Sequence, residues 1–437
     1  MNVQPSTPPL TVGARLRTQL RIVPVAIVVV GFLAAFLNPI QPVSDSRVSP
    51  TNPVLLLKLL GAASAWGIGL WGVLRSATMR QMLGRIPAIT LLCLAGVFIL
   101  AGIVSPSDSR TISVAAALIL LGYLLFILAT LSTIGFENFA RVLLLGLAVY
   151  LFLAWGVFLL WPSFGQFHEY VDATTTVARM GGVSHPNAIA HEASTAILIA
   201  LAFWRGNNCD DANRRSFYWL CTIAIVLAAV TLLATISRTA MLATAAAAVM
   251  LFFDKLYSRL GAVLAVGIAI VGLGFVGVVG LTSTDATLES LAGRVTKSGD
   301  VEELTSFTGR TDIWQEAIGW ISQRPLVGYG MDSAASVMSS EAVGTHNLLL
   351  HVIFSGGIVA GALMLVLLLA TLVIAFSSHQ PLLRGIATYV LVSGLVEDTL
   401  LPSFPCALTL LWAAILMATQ RVQSPPSQAV NSARIGR

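Results

Sequence analysis

A chain of 437 residues with 56% hydrophobic and only 10% charged residues excludes a water-facing globule, because soluble domains carry about 25% charged residues. Its apolar runs, roughly 18 to 25 residues long, suit a bilayer core of about 30 Å, and long uncharged runs favour helices over the short alternating strands of a barrel. The net charge of +5 comes without a basic stripe carrying interleaved aromatics, which excludes a nucleic-acid surface.

In chain order, residues 1–21 form a polar, Pro-containing cytoplasmic N-terminal segment. The apolar run after it is long for a signal peptide and no A-x-A-like site follows, so the first span is expected to stay uncleaved. Residues 22–281 are predicted to hold transmembrane helices 1–9, at about 22–39, 53–74, 87–104, 112–132, 142–161, 187–204, 217–235, 239–253 and 261–281. Lys58, inside the second run, either snorkels or pairs internally. A polar interruption, 282–346, comes next. Residues 347–420 hold helices 10–12, at about 347–375, 386–400 and 404–420. The tenth run contains Gly356-Gly357, which suits a short surface helix joined to a true span. Residues 421–437 are Ser/Pro/Gln-rich and read as a disordered cytoplasmic tail. The expected fold class is an all-α integral membrane protein of about 12 transmembrane helices, with one long periplasmic loop containing amphipathic helices.

Orientation follows from Lys and Arg in short loops. With the N-terminus cytoplasmic, the inner segments hold Arg15, Arg17, Arg21, Arg75, Arg80, Arg85, Arg141, Arg205, Arg384 and Arg421, among others. The short outer loops hold only Arg47, Arg110, Arg179 and Arg238. Both termini are therefore expected inside and 282–346 outside, which in a bacterium is the periplasmic face of the inner membrane. Cys93, Cys209, Cys221 and Cys406 form no metal or redox spacing, so a disulfide framework is not expected.

Charges at membrane depth are costly and often functional. Arg179 lies in Val177-Ala178-Arg179-Met180-Gly181-Gly182, just before Ser184-His185-Pro186-Asn187. Arg238 lies in a tight outer turn, Thr235-Ile236-Ser237-Arg238-Thr239. Glu397-Asp398 lies near the outer end of the eleventh run. Each could equally be a snorkelling or interfacial anchor, although an outer Arg238 works against the positive-inside bias.

Within 282–346, residues 282–308 are polar with little pattern. Gly309-Arg310-Thr311-Asp312-Ile313-Trp314 then opens a helix, with Thr311 as N-cap and Asp312 in the first turn. Ile313, Trp314, Ala317, Ile318 and Ile321 form an apolar stripe at helical spacing. Such a helix lies on the membrane with Trp314 and Trp320 near the head groups, or packs against the bundle. Pro325 ends it, and Gly328-Tyr329-Gly330 forms a turn.

His346-Asn347 closes the segment. The ordinary pKa of histidine, near 6.5, makes His346 the best acid/base candidate; a structural histidine is the alternative. His346 and His351, or His185 and His191, do not match the i, i+4 ligand geometry, so no metal is expected. No D-x-D-type pair for a metal-bound sugar nucleotide appears in an outer loop. Outer arginines with a histidine suggest instead a cofactor-free reaction on an anionic leaving group, whose phosphate oxygens a guanidinium grips bidentately.

Together these pieces resemble the bacterial O-antigen ligase and polymerase superfamily of membrane glycosyltransferases. The matching residues are Arg179 through Ser184-His185-Pro186-Asn187, then Ser237-Arg238-Thr239. Gly309-Arg310-Thr311-Asp312-Ile313-Trp314 leading to Pro325-Leu326-Val327-Gly328-Tyr329-Gly330 comes next. His346-Asn347-Leu348-Leu349 followed by Gly356-Gly357 is last. The resemblance covers roughly 175–375.

The resemblance implies transfer of a polyprenyl-diphosphate-linked glycan to an acceptor hydroxyl at the periplasmic face. By carry-over, Arg179 and Arg238 would bind the diphosphate and His346 would act on the acceptor hydroxyl. Arg310, which would support the donor or shape the long loop, and Asn347 are further expected substrate-side residues; Glu397 is added to them from its outer position, not by carry-over, as an orienting or proton-accepting partner. The partners implied are the lipid-linked donor, a glycan or lipid A–core acceptor, and membrane lipids. A ligase and a repeat-unit polymerase share these features, with ligase-type transfer slightly preferred. A polysaccharide-precursor transporter or flippase is the alternative from another class, and a scaffold without catalysis is a third.

Overall fold

The computed structural model describes residues 31, 33, 35–37, 53–170, 176–206, 214–252, 310–338 and 344–422. The expected first and ninth spans, the loop before Arg310, Cys209 and the C-terminal tail therefore lie largely or wholly outside the described residues. Among those described, helices dominate: α1 (Pro53–Arg75), α2 (Ala77–Leu83), α3 (Ile86–Ile103), α4 (Ser107–Leu160), α5 (Pro162–Gly165), α6 (Pro186–Gly206), α7 (Arg214–Thr235), α8 (Arg238–Phe252), α9 (Arg310–Gln323), α10 (Ala334–Val337), α11 (Leu348–Ser377), α12 (Pro381–Ser393) and α13 (Ala407–Val422). Six of them are long and apolar enough to cross a membrane, and three shorter apolar helices accompany them. The chain is a multi-pass helical membrane protein.

The expected fourth and fifth spans are the two helical halves of α4, which part at Gly135, whose φ of 76° leaves the helical region. The tenth run divides as anticipated, at Gly357 with φ 70°. A residue with a Cβ is strained there, and the added carbon would also strike the Leu326 carbonyl. That close approach lets the turn after α9 dock on α11: Ile358 N donates to Pro325 O at 2.8 Å, Tyr329 N to Phe354 O at 2.9 Å and Gly330 N to Ser355 O at 2.8 Å.

Three details differ from expectation within a mostly helical fold. First, a short hairpin accompanies the helices: Gln166–Tyr170 (β1) and Thr176–Met180 (β2) pair antiparallel, with Phe167 opposite Arg179. Second, the eleventh helix does not run to residue 400. It spans Pro381–Ser393, and Glu397 sits in the turn beyond it, with its N–H on Ser393 O at 2.9 Å. Third, α9 begins at Arg310, so Thr311 lies inside it rather than capping it. Its apolar stripe packs on the bundle: Ala317 is fully buried with Tyr329, Phe354 and Met338, and Ile313, Trp320 and Ile321 join them. Only Ile318 of that stripe faces outward, at 58% exposure.

α6 is the central helix, buried along most of its length. Its polar residues are satisfied, as burial requires. His191 Nδ1 meets the Tyr389 hydroxyl at 2.5 Å, and the Glu192 carboxylate accepts from Ala407 N–H at the start of α13. α6 packs against α7, α8 and α12, and α8 against α12. These contacts gather the start of α6, the α7–α8 turn, the start of α11 and the end of α12 at one end of the bundle. Arg85 and Arg205 lie at the other end, where they cap the last carbonyls of neighbouring helices, Met417 O and Leu251 O.

Candidate functional site

His346 occupies a backbone conformation that its sequence does not favour. Its φ is 48°, in the left-handed region, which costs a residue with a Cβ about 1 kcal/mol or more. Neighbours hold it there. Trp314 Nε1, on α9, donates to Thr345 O at 2.9 Å, and Thr345 Oγ1 donates to Asn347 O at 3.1 Å. Leu348 N donates to Gly394 O at 2.9 Å. Asn347 caps α11, accepting from Leu350 N at 2.9 Å, and donates through Nδ2 to Leu395 O at 2.8 Å. Both ends of the Asn347 amide are thus engaged by the fold. It joins the His346 turn to the turn that carries Glu397.

Glu397 is the hub of the cluster. Its Oε1 accepts from Arg310 Nη2 at 2.6 Å and from Asn187 Nδ2 at 3.4 Å, and its Oε2 faces His346 Nδ1 at 3.3 Å. The carboxylate side chain is 6% exposed and the His346 ring 32%. Burial pushes the Glu397 carboxyl upward, but the His346 hydrogen bond and the Arg310 guanidinium outweigh it and hold its pKa below the ordinary value. The same hydrogen bond to Glu397 raises the pKa of His346, against burial and Arg310, with Asp398 adding to the rise. A carboxylate at Nδ1 selects the tautomer that leaves Nε2 as proton acceptor, as in a nucleophile–histidine–carboxylate arrangement.

Arg179 comes from β2 and is buried, 3% exposed. Its Nε donates to Thr235 O at 2.7 Å, Nη1 to Glu169 Oε2 at 2.6 Å and Nη2 to Asn187 Oδ1 at 2.7 Å. The guanidinium is spent largely on protein acceptors: Nε holds the α7–α8 turn at Thr235 O, while Nη1 and Nη2 hold Glu169 and Asn187. Arg238 follows that turn at the start of α8, after Ser237, whose carbonyl accepts from Met241 N. It is half-buried. Lys58, left open by the sequence, lies over the Phe404 ring at 4.4 Å.

The five groups that meet here, Arg179, Asn187, Arg310, His346 and Glu397, come from the hairpin, α6, α9, the entry to α11 and the exit of α12. Arg238 stands on the turn that Arg179 holds. Glu169 and Asn187 were not singled out as site residues. An acidic residue ten positions before the outer Arg179, and an Asn directly behind Pro186, were the available signals.

The cluster also offers a potential cation-binding set that histidine spacing did not suggest. One ligand atom each from His346, Glu397 and Asp398 falls within 4.8 Å of the others, and His351 Nδ1 lies 3.6 Å from Asp398 Oδ2. A cation drawn to Glu397 would compete with Arg310 for the same carboxylate, so the existing guanidinium already supplies the positive charge.

Residues 223–366 match the family model Wzy_C, described as O-antigen ligase. The match over this segment supports placing the chain in the O-antigen ligase-like superfamily. No curated protein matches it. The matched O-antigen ligase segment covers about a third of the chain and contains Arg238, Arg310, His346 and Asn347. Arg179, Asn187 and Glu397 lie outside the segment, yet the fold brings them to the same cluster. Glycosyl transfer of the O-antigen ligase or polymerase kind is the activity, in general terms, that this match supports.

Proposed function

We propose that the protein joins a polyprenyl-diphosphate-linked oligo- or polysaccharide to an acceptor hydroxyl by inverting, metal-independent, ligase-type transfer at the periplasmic membrane face. The observation that carries this reading is the His346–Glu397–Arg310 constellation at one end of an O-antigen ligase family bundle. Glu397 holds Nδ1–H of His346, and Nε2 takes the proton from the acceptor hydroxyl. The acceptor oxygen attacks the anomeric carbon from the face opposite the diphosphate. The new C–O bond forms as the C1–O bond to phosphate breaks, and the electron pair leaves with the diphosphate. Arg238, at the N-terminal end of α8, stabilises that developing charge together with the helix-end amides. Arg179 supports the step by fixing the turn from which Arg238 extends. The proton passes from His346 to solvent or to the departing diphosphate.

The placement of the site opposite the Arg-rich end of the bundle supports a periplasmic active face with both termini cytoplasmic, by the positive-inside bias. The test uses purified protein in liposomes, a polyprenyl-diphosphate glycan, lipid A–core and free repeat-unit acceptors, and a chelator. A new glycosidic bond on lipid A–core supports the ligase reading. A bond only to the growing repeat-unit chain replaces it with polymerase activity. Donor movement across the bilayer without any new bond replaces it with transport.

A further inference from the structure

Asn187 stands between the two halves of the site. Its Oδ1 accepts from Arg179 Nη2 at 2.7 Å, and its Nδ2 donates to Glu397 Oε1 at 3.4 Å. The amide has only one acceptable orientation. Turned over, it would press NH2 against a guanidinium and a carbonyl oxygen against a carboxylate. Among side chains of this length, only asparagine can accept from a cation and donate to an anion at once. Aspartate accepts only, and leucine does neither.

The backbone around Asn187 fixes where that amide sits. Asn187 follows Pro186 at the start of α6, and its N–H donates to His185 Nδ1 at 3.3 Å. The His185 ring packs edge-on against Phe167 of β1, with centroids 5.2 Å apart. Arg179 on the adjoining strand is itself held by Glu169 and Thr235. The contact to Glu397 is long for an N–H···O bond, whereas Arg310 approaches the same oxygen at 2.6 Å. Arg310 therefore balances the carboxylate charge, and the contribution left to Asn187 is direction. Oε1, fixed from two sides, turns Oε2 toward His346.

We propose that Asn187 is a positioning residue that couples the Arg179-held half of the site to the His346–Glu397 pair by aiming the Glu397 carboxylate. The inference rests on the reading of His346 as the base. The charged and titratable groups facing His346 are Glu397 and Asp398 from the α12 exit, Arg310 from α9 and His185 from the entry to α6.

The experiment compares full-length wild type, Asn187→Ala and Asn187→Asp in nanodiscs. Two readouts are taken: the His346 titration, from the imidazole nitrogen resonances, and steady-state transfer from a polyprenyl-diphosphate glycan. Loss of the amide frees the carboxylate, so Asn187→Ala moves the His346 midpoint down. Asn187→Asp places a second anion beside Glu397 and moves the midpoint up. In both variants kcat falls on the order of tenfold, a part of the 10²–10⁴ that general-base catalysis contributes, while KM for the donor holds. Identical His346 midpoints in all three proteins overturn the proposal, as does a loss confined to donor KM. Should the alanine variant fail to fold, the near-isosteric aspartate carries the titration test. Full transfer by His346→Ala would instead sink the assignment of the base, and the His346 midpoint in Asn187→Asp would still decide the coupling.

Discussion

Arg310 and Glu397, 87 residues apart in sequence, form a 2.6 Å ion pair at the point where α9 meets the exit of α12. The pair is 16% and 6% exposed, so it is shielded enough for its loss to be felt. Removing one partner of a buried pair leaves an uncompensated charge, typically at a cost of about 3 kcal/mol or more. Arg310→Ala is therefore expected to lower thermal stability clearly. Arg310→Ala with Glu397→Gln should recover most of that loss, because no bare carboxylate remains. Thermal unfolding of both singles and the double closes the cycle; additive losses would show that the pair is not coupled.

The His346–Glu397 contact has opposite consequences for rate and for stability. As the proposed base, His346 would act only when neutral, and its pKa is raised above 6.5 by the Glu397 hydrogen bond. Transfer is expected to rise with pH through a midpoint above 6.5 and then level off. In Glu397→Gln the midpoint should fall back, with a lower plateau. A pH–rate profile with an acid limb well below 6.5 in the wild type would remove His346 as the titrating base.

For stability the signs run the other way for histidine. A raised histidine pKa contributes stability that is full below 6.5 and is lost as pH climbs through the folded value. Glu397, with its pKa lowered from 4.5, contributes fully above 4.5 and loses that contribution as pH drops through its folded value. The contact therefore stabilises most between those two ordinary values. Thermal unfolding at pH 5.5 and pH 8, roughly inside and outside that window, should show a larger wild-type advantage over Glu397→Gln at the lower pH.

Two arginines that look alike in sequence should respond differently to lysine. Arg179 is buried on three protein acceptors, and lysine cannot reproduce that fork. Arg179→Lys is expected to lower unfolding temperature and activity together. Arg238→Lys keeps the charge at the α8 start but loses bidentate grip on phosphate. It should cut transfer strongly with little change in unfolding temperature. Equal thermal losses in both variants would contradict this division.

Gly357 offers a control remote from the chemistry. With φ of 70° and the Leu326 carbonyl where a Cβ would sit, Gly357→Ala should destabilise by about 1–3 kcal/mol from the backbone alone. Its effect is expected in unfolding temperature and expression level. An alanine variant as stable as wild type would mean that the α9–α11 junction relaxes freely.

Much of the site was legible because charge stands out in an apolar chain. Arg179 and Arg238 stand in short outer turns between apolar runs, and Arg310 and His346 in the single long polar segment, so each needed a reason. Glu397 was visible as an outer acid, but not its role as hub, since its partners lie 51, 87 and 210 residues away. Asn187 and Asn347 read alike, as amides at helix starts, and only geometry separates the cap from the bridge. The hairpin was hidden because each strand has only five residues and its sequence, QFHEY or TVARM, lacks a sustained apolar alternation. The exit of α12 was misjudged because apolar residues continue to Leu400 and Leu401 after the helix has ended at Ser393.

The central claim, that His346 drives glycan transfer from a lipid diphosphate, is tested most directly by one comparison. Purified wild type and His346→Ala are given the same polyprenyl-diphosphate glycan and acceptor, with matched protein level and unfolding temperature. The account predicts product from the wild type and a loss of about 10²-fold or more in the variant. Equal formation of the new glycosidic bond by both proteins would contradict it.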